Sequence, residues 1–284
     1  MTVALAVYLS VTAAIYLKFG TLPPLSLGVL ALVTLPIIGY LARSEEFLRS
    51  SVLFVTVILT YEALQGITGA LVKSGSVVSL AGADRALVGF NFAGSFQAYF
   101  LSPAATLVST FFYGLHIFLI LVAVVLFWFK DRLVYRGYTY SMILTSYLAL
   151  LTFILLPSAP PWFEGSAQNL LVAGDKMLPP VLQSAQALLL SGESDAFAAF
   201  PSLHAAYATL FLVFMFRLGR NYGLASLPVA IGVYFSIIYL GQHYLVDLMA
   251  GMAYSLASTL IVERLVLRRA GRAALPATPP PVSP

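Results

Sequence analysis

The stretch 117-IFLILVAVVLFWF-129 holds thirteen residues and, apart from the indole N–H of Trp128, no polar side chain. With the apolar residues that precede it from 104 onward, it is long enough to cross a bilayer, which takes about 20 mostly apolar residues. The rest of the chain has the same character. Of its 284 residues 60% are hydrophobic and 9% charged, against about 25% charged in soluble domains. The fold class that follows is all-α: a polytopic transmembrane helical bundle.

Eight stretches qualify as spans, at roughly 2–18, 24–42, 51–72, 104–129, 139–157, 201–218, 222–240 and 243–266. The N-terminus lacks a basic leader and a small-residue cleavage pattern, so it reads as a retained membrane helix rather than a signal peptide. Residues 1–50 form an N-terminal pair of spans. Residues 51–266 form a six-span core with two long connections, 73–103 and 158–200. The Pro-rich segment 267–284 reads as a disordered tail. With no cysteine in the chain, disulfides and thiolate metal sites are excluded. The basic residues are scattered between apolar runs, which speaks against a nucleic-acid partner.

Cytoplasmic loops are enriched in Lys and Arg. With eight spans, eleven basic residues fall on one side, from Arg43 through Arg272, and four on the other: Lys18, Lys73, Arg85 and Lys176. This places both termini in the cytoplasm and both long loops outside. His204 then begins span six at the outer face, His243 begins span eight there, and His116 lies a few turns below it in span four. All three histidines of the chain gather in one leaflet, at similar depth.

Two fragments carry the chemistry. In 243-HYLVD-247 the acid follows the histidine by four residues, so on a helix the two share a face. The carboxylate can fix the tautomer of His243 and leave its other nitrogen a better nucleophile or base. In 200-FPSLHAAY-207, Pro201 suits the first turn of a helix and Ser202 can cap it. The free N–H groups at such a start favour an anion, and His204 can protonate a leaving oxygen beside it.

These residues resemble the type 2 phosphatidic acid phosphatase superfamily, whose second signature is P-S-x-H and whose third is S-R-x5-H-x3-D. Within it the likeness is greatest to the inositol phosphorylceramide synthase branch, through 199-AFPSLHAAY-207, 156-LPSAPPWF-163, 243-HYLVDL-248 and the pair Tyr113 and His116. The motifs cover about a tenth of the chain, and the six-span core matches the family's catalytic helices. The resemblance implies that His243 attacks phosphorus and forms a phosphohistidine. It implies that Asp247 orients His243 and that His204 protonates the leaving alcohol and then activates the acceptor. His116, Tyr113, Ser202 and Ser236 would bind substrate. By the same resemblance the substrate would be a membrane phospholipid and the acceptor a lipid hydroxyl or water, with no metal or cofactor needed.

Two departures bear on the substrate. Ile237 stands where the phosphatases have arginine after Ser236, and no K-x6-R-P signature occurs. Without those cations the resemblance points to a phosphodiester donor and a phosphotransferase; a lipid phosphate phosphatase using the same residues is the alternative. Charge stabilisation is left to the helix start at 201, to His116, or to Lys73, Arg85 or Lys176.

Lesser signals have blander readings. Glu62 can pair with Gln65 one turn on, and Gly66 and Gly69 suit close helix packing. Asp131 and Arg132 read as a solvated charge pair, and Trp162 as an anchor for the outer loop. Two other classes stay open: a zinc site built from the three imidazoles, and a transporter or scaffold, although neither inverted repeats nor interrupted helices are evident.

Overall fold

The computed structural model describes residues 27–72, 77–173 and 197–267, together with Ser10. Its helices, in order, are α1 (Leu27–Leu41), α2 (Glu45–Val72), α3 (Ala81–Val88), α4 (Phe92–Phe100), α5 (Pro103–Lys130), α6 (Arg132–Leu155), α7 (Leu170–Ala173), α8 (Leu203–Leu218), α9 (Arg220–Tyr239) and α10 (Leu245–Val262), the last continued by a π-helical turn at Glu263–Leu267. Among the described residues β-structure is limited to isolated bridges, so the all-α expectation holds.

Seven of the eight expected spans fall on helices; the first, 2–18, lies outside the described residues, as does the tail beyond 267. Among the described residues four helices are long and apolar enough to cross a membrane alone: α2, α6, α9 and α10. Joining the two halves of α5, which meet at a 48° bend around residue 117, makes a fifth. Helices α1 and α8 are apolar but shorter. The connection 73–103 is not irregular throughout, since it contains α3 and α4.

The short α8 is the hub, packed against α5, α6, α9 and α10. A helix apolar on every side belongs in an interior, and α8 buries Ala205, Ala206, Tyr207, Ala208, Leu210, Phe211 and Phe214. The alanines admit close neighbours while the aromatic rings fill the space between them. On the outside of the bundle, Phe111, Val122, Leu151, Leu155, Ile231, Leu256 and Leu260 are exposed. An apolar rim of this extent suits a lipid surface.

Tyrosine hydroxyls tie helix to helix. Tyr207 meets Ser146, Tyr234 meets Thr209, and Tyr254 meets Thr152, at 2.7–2.8 Å. Between membrane helices such bonds contribute roughly 0.6–2 kcal/mol each.

The junction of α5 and α6 corrects one expectation. Asp131 caps α6, its Oδ1 accepting the N–H groups of Leu133 and Val134, while the guanidinium of Arg132 lies over the Trp128 ring at 3.3 Å. The two residues serve different partners because a helix start recruits the acid and an aromatic face the cation. Nearby, Arg217 pairs with Glu263. Gln65, Gly66 and Gly69 have side-chain surroundings outside those described.

At the opposite end the two long connections lace together. Ser158 bridges to Val78 and to Ala198, and its hydroxyl accepts the N–H of Phe200 at 2.8 Å. Gln97 donates to the carbonyls of Gln168 and Tyr239 and accepts from the N–H of Gln168. Trp162 donates its indole N–H to Gln242, beside His243.

Candidate active site

The chain reverses between α9 and α10 in a tight turn. Gly241 takes φ 75°, a region costly to any residue with a Cβ, and a Cβ there would collide with the carbonyl of Gln168. The turn brings the N–H groups of Gln242 and His243 onto the carbonyl of Ile237, both at 3.1 Å. His243 therefore precedes the helix rather than belonging to it, and the shared-face expectation is corrected. Tyr244 is the N-cap, and Asp247 reaches back from the third helical position to accept the Tyr244 N–H on Oδ2 at 2.8 Å. That is one half of a capping box. The same Oδ2 lies 3.5 Å from Nδ1 of His243. Asp247 is fully buried and His243 nearly so. With Nδ1 turned to the carboxylate, Nε2 is left to act.

The start of α8 lies alongside. Ser202 is its N-cap, and Oγ accepts the Ala205 N–H at 3.3 Å. Pro201 sits outside the helix, before the cap, and does not fill its first turn. The Ser202 N–H donates to the carbonyl of Asp247 at 3.1 Å. This contact requires Gly251, because a Cβ there would strike the Ser202 carbonyl and press on Ala205. No acceptor within the described residues takes the N–H groups of Leu203 and His204, which leaves two donors at the positive end of the helix dipole.

Helix α5 supplies the facing wall. The Tyr113 ring stacks on His204, centroids 4.4 Å apart and planes 27° apart. The His116 ring lies 4.0 Å from that of His204, and His204 lies 5.6 Å from His243. Nδ1 of His116 is 2.6 Å from the Tyr113 carbonyl and so donates to it, leaving Nε2 as an acceptor. Nε2 of His204 is buried with no partner. Fourteen positions separate His116 from Lys130 and fourteen separate His204 from Leu218, each roughly 21 Å of helix.

Of the residues singled out from sequence, His116, Tyr113, Ser202, His204, His243 and Asp247 thus form one cluster. Ser236 differs: its hydroxyl donates to the Val233 carbonyl within α9. Ile237, at the arginine position, is fully buried core. Arg85 is exposed on α3, whereas Lys73 and Lys176 lie outside the described residues. Among the described residues no three His, Asp or Glu side chains are arranged to hold a metal ion, so the zinc alternative finds no ligand set there.

Sequence reasoning passed over Asp84. It is 1% exposed, and its Oδ1 accepts the N–H of Val246 in the first turn of α10 at 3.2 Å. Burial pushes its carboxyl above the ordinary range, and the N–H groups of Val246 and Leu245 pull it back. Glu164, a loop charge in PPWFEG that the sequence gives no role, accepts the hydroxyls of Tyr244 and Ser79, each at 2.8 Å. Both contacts join residues at least 80 positions apart, beyond the reach of any local pattern.

The PAP2 superfamily profile matches residues 78–261, the segment that contains every one of these side chains. The chain belongs to the PAP2 superfamily. Two curated relatives lie in its inositol phosphorylceramide synthase-like branch. One is the inositol phosphorylceramide synthase of Candida albicans, 26% identical over 147 residues, or 48% of this chain and 31% of the relative. The other is the phosphoinositol dihydroceramide synthase of Bacteroides thetaiotaomicron, 26% identical over 157 residues, or 51% of this chain and 50% of the relative. The chain thus aligns with a third to a half of the length of these proteins. No solved structure matches it. It is a membrane-embedded enzyme of that superfamily.

Proposed function

We propose that the protein is a lipid phosphotransferase that moves a phospho-headgroup from a phospholipid phosphodiester to a lipid hydroxyl through a phosphohistidine. The observation that carries this reading is the approach of His204 and His243, with Asp247 behind the latter. Nε2 of His243 attacks phosphorus as the bond to the leaving alcohol breaks, and His204 gives that oxygen its proton. The acceptor hydroxyl then passes its proton to His204 and attacks phosphorus, and the N–P bond breaks. The free N–H groups of Leu203 and His204 hold the non-bridging oxygens, and Nε2 of His116, an acceptor, takes a headgroup hydroxyl; Tyr113 fixes the His204 ring, and Ser202 shapes the helix start. Both relatives carry synthase names, which favours transfer over hydrolysis. Charge asymmetry along the chain supports cytoplasmic termini and a site facing the extracytoplasmic side of the cell membrane.

The test is incubation of the purified protein, in EDTA, with headgroup-labelled phospholipids, with and without ceramide or diacylglycerol. Transfer of label to the added lipid, lost in His243→Ala, is expected. Water-soluble phospho-headgroup released at the same rate without acceptor would mean a hydrolase. No turnover of any phospholipid, or turnover untouched by His243→Ala, would overturn the reading.

A further inference from the structure

Asp84 has no place in the motifs or in the mechanism above, yet it is among the most thoroughly buried acids in the described chain. It stands on α3, an eight-residue helix in the outer connection, and crosses to the first turn of α10. Nothing local demands an acid at this point of α3, because the helix's own cap residue, Leu80, makes no side-chain cap bond. Its partner is a helix 162 residues away.

The first turn of α10 has few donors to offer. The Tyr244 N–H goes to Asp247 and the Val246 N–H to Asp84. Two carboxylates therefore occupy the positive end of this helix, immediately after His243. An anionic phosphate cannot also dock there. At the start of α8, by contrast, no acceptor among the described residues takes the N–H groups of Leu203 and His204.

We propose that Asp84 is a positioning residue for His243: it clamps the first turn of α10 from outside and withholds that helix start from the phosphate, so that the anion is directed onto α8. The proposal rests on the functional reading above for its catalytic consequence, but the clamp itself is a structural statement. It adds a role for the outer connection, which holds no residue of the reacting cluster, and it makes α3 part of the site's frame.

The experiment compares Asp84→Ala and Asp84→Asn in the full-length purified protein. Asparagine keeps an oxygen acceptor for Val246 and alanine does not. Hydrogen exchange of the peptide spanning 243–248, followed by mass spectrometry, should accelerate about tenfold or more in Asp84→Ala and remain near wild type in Asp84→Asn. In the transfer assay, kcat should fall roughly 10- to 100-fold in Asp84→Ala with KM changed little, as expected when a reacting group is misplaced by about 1 Å. Asp84→Asn should recover most of that loss. Unchanged exchange at 243–248 in Asp84→Ala would overturn the clamp whatever the protein catalyses. Faster exchange with kcat unaltered would overturn the positioning role. A wild-type protein inactive on every phospholipid would sink the functional reading alone, since the exchange result stands apart from it.

Discussion

The main-chain N–H of Ser202 donates to the carbonyl of Asp247, joining the cap of α8 to the acid of α10 without an intervening side chain. The separation of the segments that carry His204 and His243 is therefore set by backbone packing, and backbone packing here depends on a glycine. Gly251→Ala places a methyl group against the Ser202 carbonyl. Overpacking of this kind costs about 1–3 kcal/mol, so thermal unfolding in detergent should shift downward. Turnover of the remaining folded protein should fall as well, because the two helix starts are forced apart.

Asp247→Asn separates charge from shape. The amide oxygen can still accept the Tyr244 N–H, but the imidazolium formed during reaction loses its counter-charge. By comparison with acid-to-amide changes in other imidazole–carboxylate pairs, kcat should drop by about three to four orders of magnitude. KM should move little, as for an interaction made in the transition state. Steady-state kinetics on the labelled phospholipid would check both.

Ser158 is a structural anchor rather than a reacting group. Its hydroxyl accepts the Phe200 N–H just ahead of the α8 cap. Ser158→Ala leaves that N–H without its acceptor, a loss of about 1–3 kcal/mol if it stays buried. The expected result is a lower unfolding temperature, with kcat per folded molecule reduced less than in Asp247→Asn.

Tyr113 should act through its ring. Tyr113→Phe preserves the stack on His204 and should retain most activity. Tyr113→Leu removes an aromatic contact worth about 0.5–1.5 kcal/mol, and with it the restraint on His204, so kcat should fall by up to about tenfold. Equal activity in the two variants would show that the stack does not matter.

Much of this architecture is legible in the sequence, and the reasons differ by element. Long apolar runs announce α5, α6, α9 and α10, because a bilayer requires unbroken length. The spacing of His243 and Asp247 announces their pairing, although its geometry is a cap reaching back and not a helical face. Local pattern cannot tell those two arrangements apart, as both bring i and i+4 together. Helices α3 and α4 escape notice because eight or nine mixed residues carry no membrane signal and little periodicity. Asp84 and Glu164 escape because their partners are distant in sequence. The meeting of His116 with His204 is readable only after the helix ends are known, and the two stand an equal number of positions from Lys130 and Leu218.

That equality has a consequence for the choice of substrate. If the inner ends of α5 and α8 rest at one membrane face, roughly 21 Å of rise within an apolar slab about 30 Å thick leaves the imidazoles some 9 Å below the opposite boundary. The Born self-energy of an ion in such a medium scales with the square of its charge, so a dianionic monoester is penalised about four times as heavily as a singly charged diester. Depth alone would then select against phosphatidic acid, before any side chain inspects the headgroup.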